Sequence, residues 1–104
     1  MTSPKPPYKT CATMDEIRVE IDRVDRLLVP LLAERLDYVR QAAAHKPDRA
    51  QVVVPWRIED VVAKAKALAE DLDTDSDVIE RIYRALVDAS IAWEGGHYDR
   101  TRNK

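Results

Sequence analysis

The 104-residue chain reads as all-α: a three-helix protomer whose first helix is too long to be covered by its own chain. Three observations carry this. Apolar residues recur at helical spacing in three blocks, and the alternating pattern of strands is missing. Gly is scarce, with 2 in the chain. Hydrophobic residues make up 45% and charged residues 35%, which suits a folded helical protein rather than a disordered one. The length is enough for one domain.

Residues 1–12 are Pro-rich and polar and read as a flexible tail without a core. The helical domain is expected over 13–98, with 99–104 as a second tail. The first helix spans Thr13–Lys46. Thr13 with Glu16 forms a capping-box pattern, and Asp15 adds negative charge at the positive helix end. Ile17, Ile21, Val24, Leu28 and Leu31 make an apolar seam in steps of four and three, and the count continues to Arg35, Tyr38 and Ala42. A cation thus falls where the seam asks for an apolar residue, and burying it requires an anion. Pro30 interrupts the backbone bonding and should kink or loosen the helix, but the seam keeps phase across it. Lys46-Pro47 ends it, because a residue before Pro avoids the helical region.

Such a helix measures roughly 50 Å, against a radius of gyration of about 13 Å for a compact domain of this size. A second copy of the same helix is the simplest cover, so a homodimer is expected. Residues 47–55 form an extended connection, with Val52–Val54 as a conceivable short strand that lacks a partner. The second helix runs Pro55–Leu72, with Ile58, Val61, Val62, Ala65, Leu68, Ala69 and Leu72 on its apolar face. Arg57 in its first turn opposes the helix dipole and, with the free N–H groups there, makes an anion-friendly corner. DTDS at 73–76 is a turn and cap. The third helix runs from Ser76 to beyond Glu94, with Ile79, Ile82, Tyr83, Leu86, Val87, Ser90, Trp93 and Glu94 on one stripe. Gly95-Gly96 should weaken or end it.

Charge and composition exclude several classes. A net charge of −2 gives no field for nucleic acid or anionic membrane, so any anion site is local. No apolar run approaches membrane-spanning length, and the N-terminus lacks the apolar core of a signal peptide. The single Cys11 cannot form an internal disulfide and fits a reducing compartment, so a cytoplasmic protein is expected. Two His and one Cys supply no zinc set, and no metal or cofactor is expected.

The polar residues on apolar faces form the candidate site: Arg18, Arg35, Lys46, Arg57, Ser90 and Glu94. Arg35 and Lys46, eleven apart on a straight helix, differ by about 20° in direction and about 16 Å along the axis. They could flank a small anion. Arg18 lies about 25 Å and about 100° from Arg35, so in an antiparallel dimer it could serve the other subunit's site. Each residue also has a bland reading. Arg18 can pair with Asp22 or Asp25, Ser90 can bond back to its own helix, and Lys46, Arg57 and Glu94 can be ordinary surface charges.

The order IRVEIDRVDRLLVPLLAERLDYVRQAAAHK, then PWRIEDVV, then a third helix with SIAWE, resembles the all-helical AroQ class of chorismate mutases. DRVDRLLVPLLAERLDYV with the Lys-then-PWRI spacing is similar to the subgroup containing isochorismate-pyruvate lyase. The resemblance covers about residues 14–98. It implies an intertwined homodimer with two equivalent sites for a small dicarboxylate, and a pericyclic reaction without cofactor. It further implies that Arg35 binds a substrate carboxylate and that Arg18 reaches the other subunit's site. Lys46 would contact a carboxylate and the ether oxygen of the breaking bond, and Arg57 would support a carboxylate. Ser90 would meet the ring or its hydroxyl, and Glu94, often Gln in the class, would donate to the ether oxygen. Ile58 departs from the Glu that many mutases carry, and the lyase subgroup is apolar there too.

The implied functions are chorismate mutase, then isochorismate-pyruvate lyase or 4-amino-4-deoxychorismate mutase. A non-catalytic helical dimerisation module is the reading from a different class.

Overall fold

A computed structural model describes residues 5–46, 48 and 53–102. Among the described residues the chain forms three helices and no strand: α1 (Met14–Ala43), α2 (Pro55–Asp71) and α3 (Ser76–Arg102). It divides into two compact units, Met1–Tyr38 and Val39–Lys104.

The first unit holds most of α1. The Glu16 N–H donates to Thr13 Oγ1 at 3.1 Å, the first half of the expected capping box. The return bond reaches one residue further back, since Ala12 N–H donates to Glu16 Oε2 at 2.7 Å. The helix passes through Pro30 as one element. Its seam is largely bare: Ile17, Ile21, Val24, Leu28 and Leu31 are each between 39% and 54% exposed. Further along, burial departs from the expected seam. Leu32, Arg35, Leu36 and Val39 are half-buried, whereas Tyr38 and Ala42 are exposed. Arg35 therefore shares its face with Leu32, Leu36 and Val39.

The second unit holds the last turn of α1 with α2 and α3. The first helix stops at Ala43, three residues before the expected Lys46. The N–H groups of Ala44, His45 and Lys46 donate to the carbonyls three residues back, at 3.1, 3.0 and 3.4 Å. The end is thus tightened a turn ahead of Pro47, whose restriction acts on Lys46 itself. Val53 and Val54 lie outside any strand, Val54 being extended at φ −120°, ψ 95°; Val52 lies outside the described residues. Pro55 opens α2, and Val54 offers no side-chain cap.

The α2–α3 turn is built as foreseen and in more detail. Asp73 takes the left-handed conformation at φ 55°. Its N–H donates to Glu70 O, and that of Thr74 to Ala69 O at 2.9 Å, a Schellman closure with Asp in the usual glycine position. Asp75 Oδ1 then caps α3, accepting from the N–H groups of Asp77 and Val78 at 2.9 and 3.2 Å.

The helices α2 and α3 run antiparallel. Val62, Ala65 and Ala69 of α2 are buried, as is Val87 of α3, but Leu68, Ile82 and Trp93 of the expected stripes remain exposed. In this single chain α2 and α3 are each covered on one side only. The helix α3 also continues past Gly95-Gly96 to Arg102. A propensity cost of about 1 kcal/mol per glycine does not stop a helix already fixed by upstream packing. Among the described residues, no helix is long and apolar enough to cross a membrane.

Ion pairs tie α2 to α3. Arg84 presents two nitrogens to the Glu59 carboxylate at 2.9 and 3.0 Å, and its Nε donates to Glu80 at 2.9 Å. Lys66 pairs with the other Glu80 oxygen at 2.9 Å. Hydrogen bonding from Arg84 holds the Glu59 carboxyl below its ordinary value, and bonds from Lys66 and Arg84 do the same for Glu80. Both carboxyls bind protons less readily folded than unfolded, so their contribution is full above the unfolded carboxylate range. It fades as pH falls through the lowered folded values. The melting temperature should therefore drop below about pH 4, and Glu80→Gln should shrink that drop. Calorimetry against pH checks this, and an unchanged acid limb in the variant would assign the loss to other groups.

Candidate active site

The site is built where the end of α1 meets α3. Ala43 is 2% exposed, and Ile91 packs against it. Lys46 follows Ala43 by three residues, and Glu94 follows Ile91 by three. This contact carries the two ionisable side chains to one place. Lys46 Nζ donates to Glu94 Oε2 at 2.5 Å, with the carboxylate side chain 6% exposed and the lysine 22%. An ammonium and a carboxylate so placed offer a point charge and an oxygen acid or base to one small ligand atom.

One turn before Glu94, Ser90 is also buried. Its hydroxyl donates to Leu86 O at 2.7 Å, the bland bond expected of a mid-helix serine. The oxygen's lone pairs leave it an acceptor role. Ser90 and Glu94 are the buried polar side chains among the described residues, and both face the same side of α3.

Arg57 sits in the first turn of α2 as expected, without an acidic neighbour in that turn. It is exposed and engaged on its own helix, donating to Asp60 Oδ2 at 2.7 Å. Asp60 also accepts from Lys64 at 2.9 Å. Bonds from Lys64 and Arg57 hold the Asp60 carboxyl below its ordinary value. The N–H of Arg57 donates to Val54 O, so the N-terminal corner is less open than its sequence implies.

Arg18 and Arg35 belong to the first unit. Arg18 lies 3.7 Å from Asp15, not from Asp22 or Asp25, and both side chains are well exposed. Such a pair holds the guanidinium only weakly. The helical arithmetic linking Arg35 to Lys46 lapses, because Lys46 stands beyond the end of α1.

Two positions of consequence escape a reading of the sequence. Ala43 is one of three consecutive alanines, and nothing in the run distinguishes it. Asp60 could have been found, because Arg57, Asp60 and Lys64 keep the spacing of helical ion pairs. Among the described residues, no group of three or more His, Cys, Asp or Glu could hold a metal.

A family model described as chorismate mutase type II matches residues 17–95. The chain belongs to that family. All six candidate residues lie inside the matched segment of this chorismate mutase family member, which makes the protein an enzyme. It is also 28% identical over 92 residues to the isochorismate pyruvate lyase of Pseudomonas aeruginosa, an alignment covering 88% of this chain and 91% of the relative.

Proposed function

We propose that the protein converts chorismate to prephenate in a cytoplasmic homodimer, using Lys46 and Glu94 at the reacting oxygen. The reaction breaks one C–O bond, forms one C–C bond and loses no atoms. It needs the flexible dicarboxylate held in its compact reactive shape and the growing charge on the ether oxygen stabilised. The observation that carries the reading is the part-buried Lys46–Glu94 contact beside Ser90, inside the segment matched by the family.

An ether oxygen entering between Lys46 and Glu94 replaces their mutual bond by two bonds to substrate. Lys46 donates as a point charge. Glu94 donates only when protonated, since an ionised carboxylate repels the developing negative charge. Arg35 and Arg57 bind the substrate carboxylates, for which the guanidinium fork is suited. Arg18 supplies a further carboxylate contact from the partner subunit. Ser90 accepts from the ring hydroxyl.

A hydrogen-bond donor at position 94 is what this scheme requires. Glu94→Gln, whose amide donates to the ether oxygen, should keep turnover, whereas Glu94→Ala should lower kcat/KM at least about tenfold. Equal activity in the two variants would remove Glu94 from the role.

The second reading is isochorismate-pyruvate lyase. It is favoured by the 28% identical relative of that name and by the half-buried, apolar Ile58 in the first turn of α2. Ile58 cannot bind a ring hydroxyl, which also leaves 4-amino-4-deoxychorismate a candidate substrate. Product analysis with each substrate tests the choice. Prephenate supports the mutase; salicylate with pyruvate supports the lyase; no turnover of any supports a non-catalytic dimerisation module.

A further inference from the structure

We propose that Arg84 and Glu59 are positioning residues that set the α2–α3 register and thereby place Arg57 for substrate binding. This rests on the reading of Arg57 as a carboxylate ligand. The buried apolar side chains of the two helices are small, Val62, Ala65 and Ala69 on α2 with Val87 on α3, while the larger Leu72, Ile79, Tyr83 and Leu86 are only half-buried. Half-buried side chains fix the position of one helix along the other less sharply than a closed core does.

The polar contacts fix that position. The guanidinium of Arg84 is spent on three bonds, two to Glu59 across the interface and one to Glu80 on its own helix. Glu80 in turn reaches back to Lys66 on α2 at 2.9 Å. Two cross-links of opposite order, 59 to 84 and 66 to 80, define a single antiparallel register. A slip of one helical turn, about 5.4 Å, breaks both. Exposed pairs of this kind add little to stability, whereas a bidentate fork is selective for geometry.

Register matters because of what lies beyond the fork. Arg57 is two residues before Glu59. Ser90 and Glu94 follow Arg84 by about 9 and 15 Å along α3. The fork therefore decides which level of α3 the first turn of α2 faces. A slip would carry Arg57 a full turn away from its working level relative to Ser90 and Glu94.

The test uses Arg84→Lys, which keeps the charge and loses the fork, Glu59→Gln, and the exchanged pair Glu59→Arg with Arg84→Glu. Both single variants should raise KM for chorismate about fivefold or more with kcat within about twofold, the signature of lost uniform binding. The exchanged pair restores the link across the interface but loses the bond to Glu80, so KM should return part of the way to the wild-type value. Fluorinated tryptophan at Trp56 and Trp93 gives a substrate-free reading. The single variants should broaden or split the Trp56 fluorine resonance, and the exchanged pair should restore one line. Unchanged KM and unchanged resonances in both folded single variants overturn the proposal, as does an exchanged pair no better than they are. If the wild type leaves chorismate unchanged, the mutase reading fails by itself, and the fluorine spectra still decide the register.

Discussion

Replacing Lys46 by Ala should lower kcat/KM for chorismate at least about a hundredfold, the usual loss when one preorganised charge is removed from a developing oxyanion. Lys46 Nζ is bonded to Glu94 at 2.5 Å in the free molecule, so no reorganisation of distant segments is needed to present it. The substitution has a second effect that must be separated from the first. It strands a carboxylate whose side chain is 6% exposed, and breaking a buried pair in this way costs on the order of 3–5 kcal/mol. The variant should melt earlier than the wild type. Combining Lys46→Ala with Glu94→Gln removes the stranded charge and should recover much of the stability without recovering turnover. Steady-state kinetics and thermal melts of the three proteins make the comparison. Full activity in Lys46→Ala would end the assignment, whatever its stability.

A charge placed on the bare seam should have an effect of comparable size through assembly. Leu28 lies at the middle of the seam and is 46% exposed in the single chain. If a second copy covers it, Leu28→Glu buries unpaired carboxylates at the interface, and sedimentation should find monomer where the wild type is dimer. If Arg18 serves the partner's site, activity should fall with the dimer. Mixing two inactive variants isolates that dependence. Arg18→Ala and Lys46→Ala subunits, unfolded and refolded together, form mixed dimers with one intact site each. About a quarter of wild-type activity should return at statistical pairing. No return from demonstrably mixed dimers would place Arg18 outside the partner's site, and a wild type that sediments as monomer would remove the dimer itself.

The helices were legible because periodicity is a local property. The α2 start at Pro55, the cap at Asp75 and the unbroken passage through Pro30 follow from residues within a turn or two. Errors fell where a tertiary contact overrides a local rule. The first helix ends at Ala43, ahead of the proline to which the local rule points. The helix α3 ignored two glycines because its upstream turns were already fixed. Leu68 and Ile82 lie on the apolar faces yet stay exposed, because periodicity finds an apolar face without saying whether anything covers it. At the site, the meeting of Lys46 and Glu94 joins residues 48 apart in the chain, and spacing on one helix could not supply it. Arg57 stands in the first turn of α2, and its partner Asp60 lies three residues on, at ordinary helical ion-pair spacing.

The alanines at 42, 43 and 44 look interchangeable, yet only the middle one is buried. Mutational drift should treat them differently. Ala42 and Ala44 are exposed in the single chain, and Ala44 already lies past the helix end. At Ala43, a longer side chain must displace Ile91, and with it the approach that carries Lys46 to Glu94. The least conspicuous residue of the first helix is thus the one whose history should be written most conservatively.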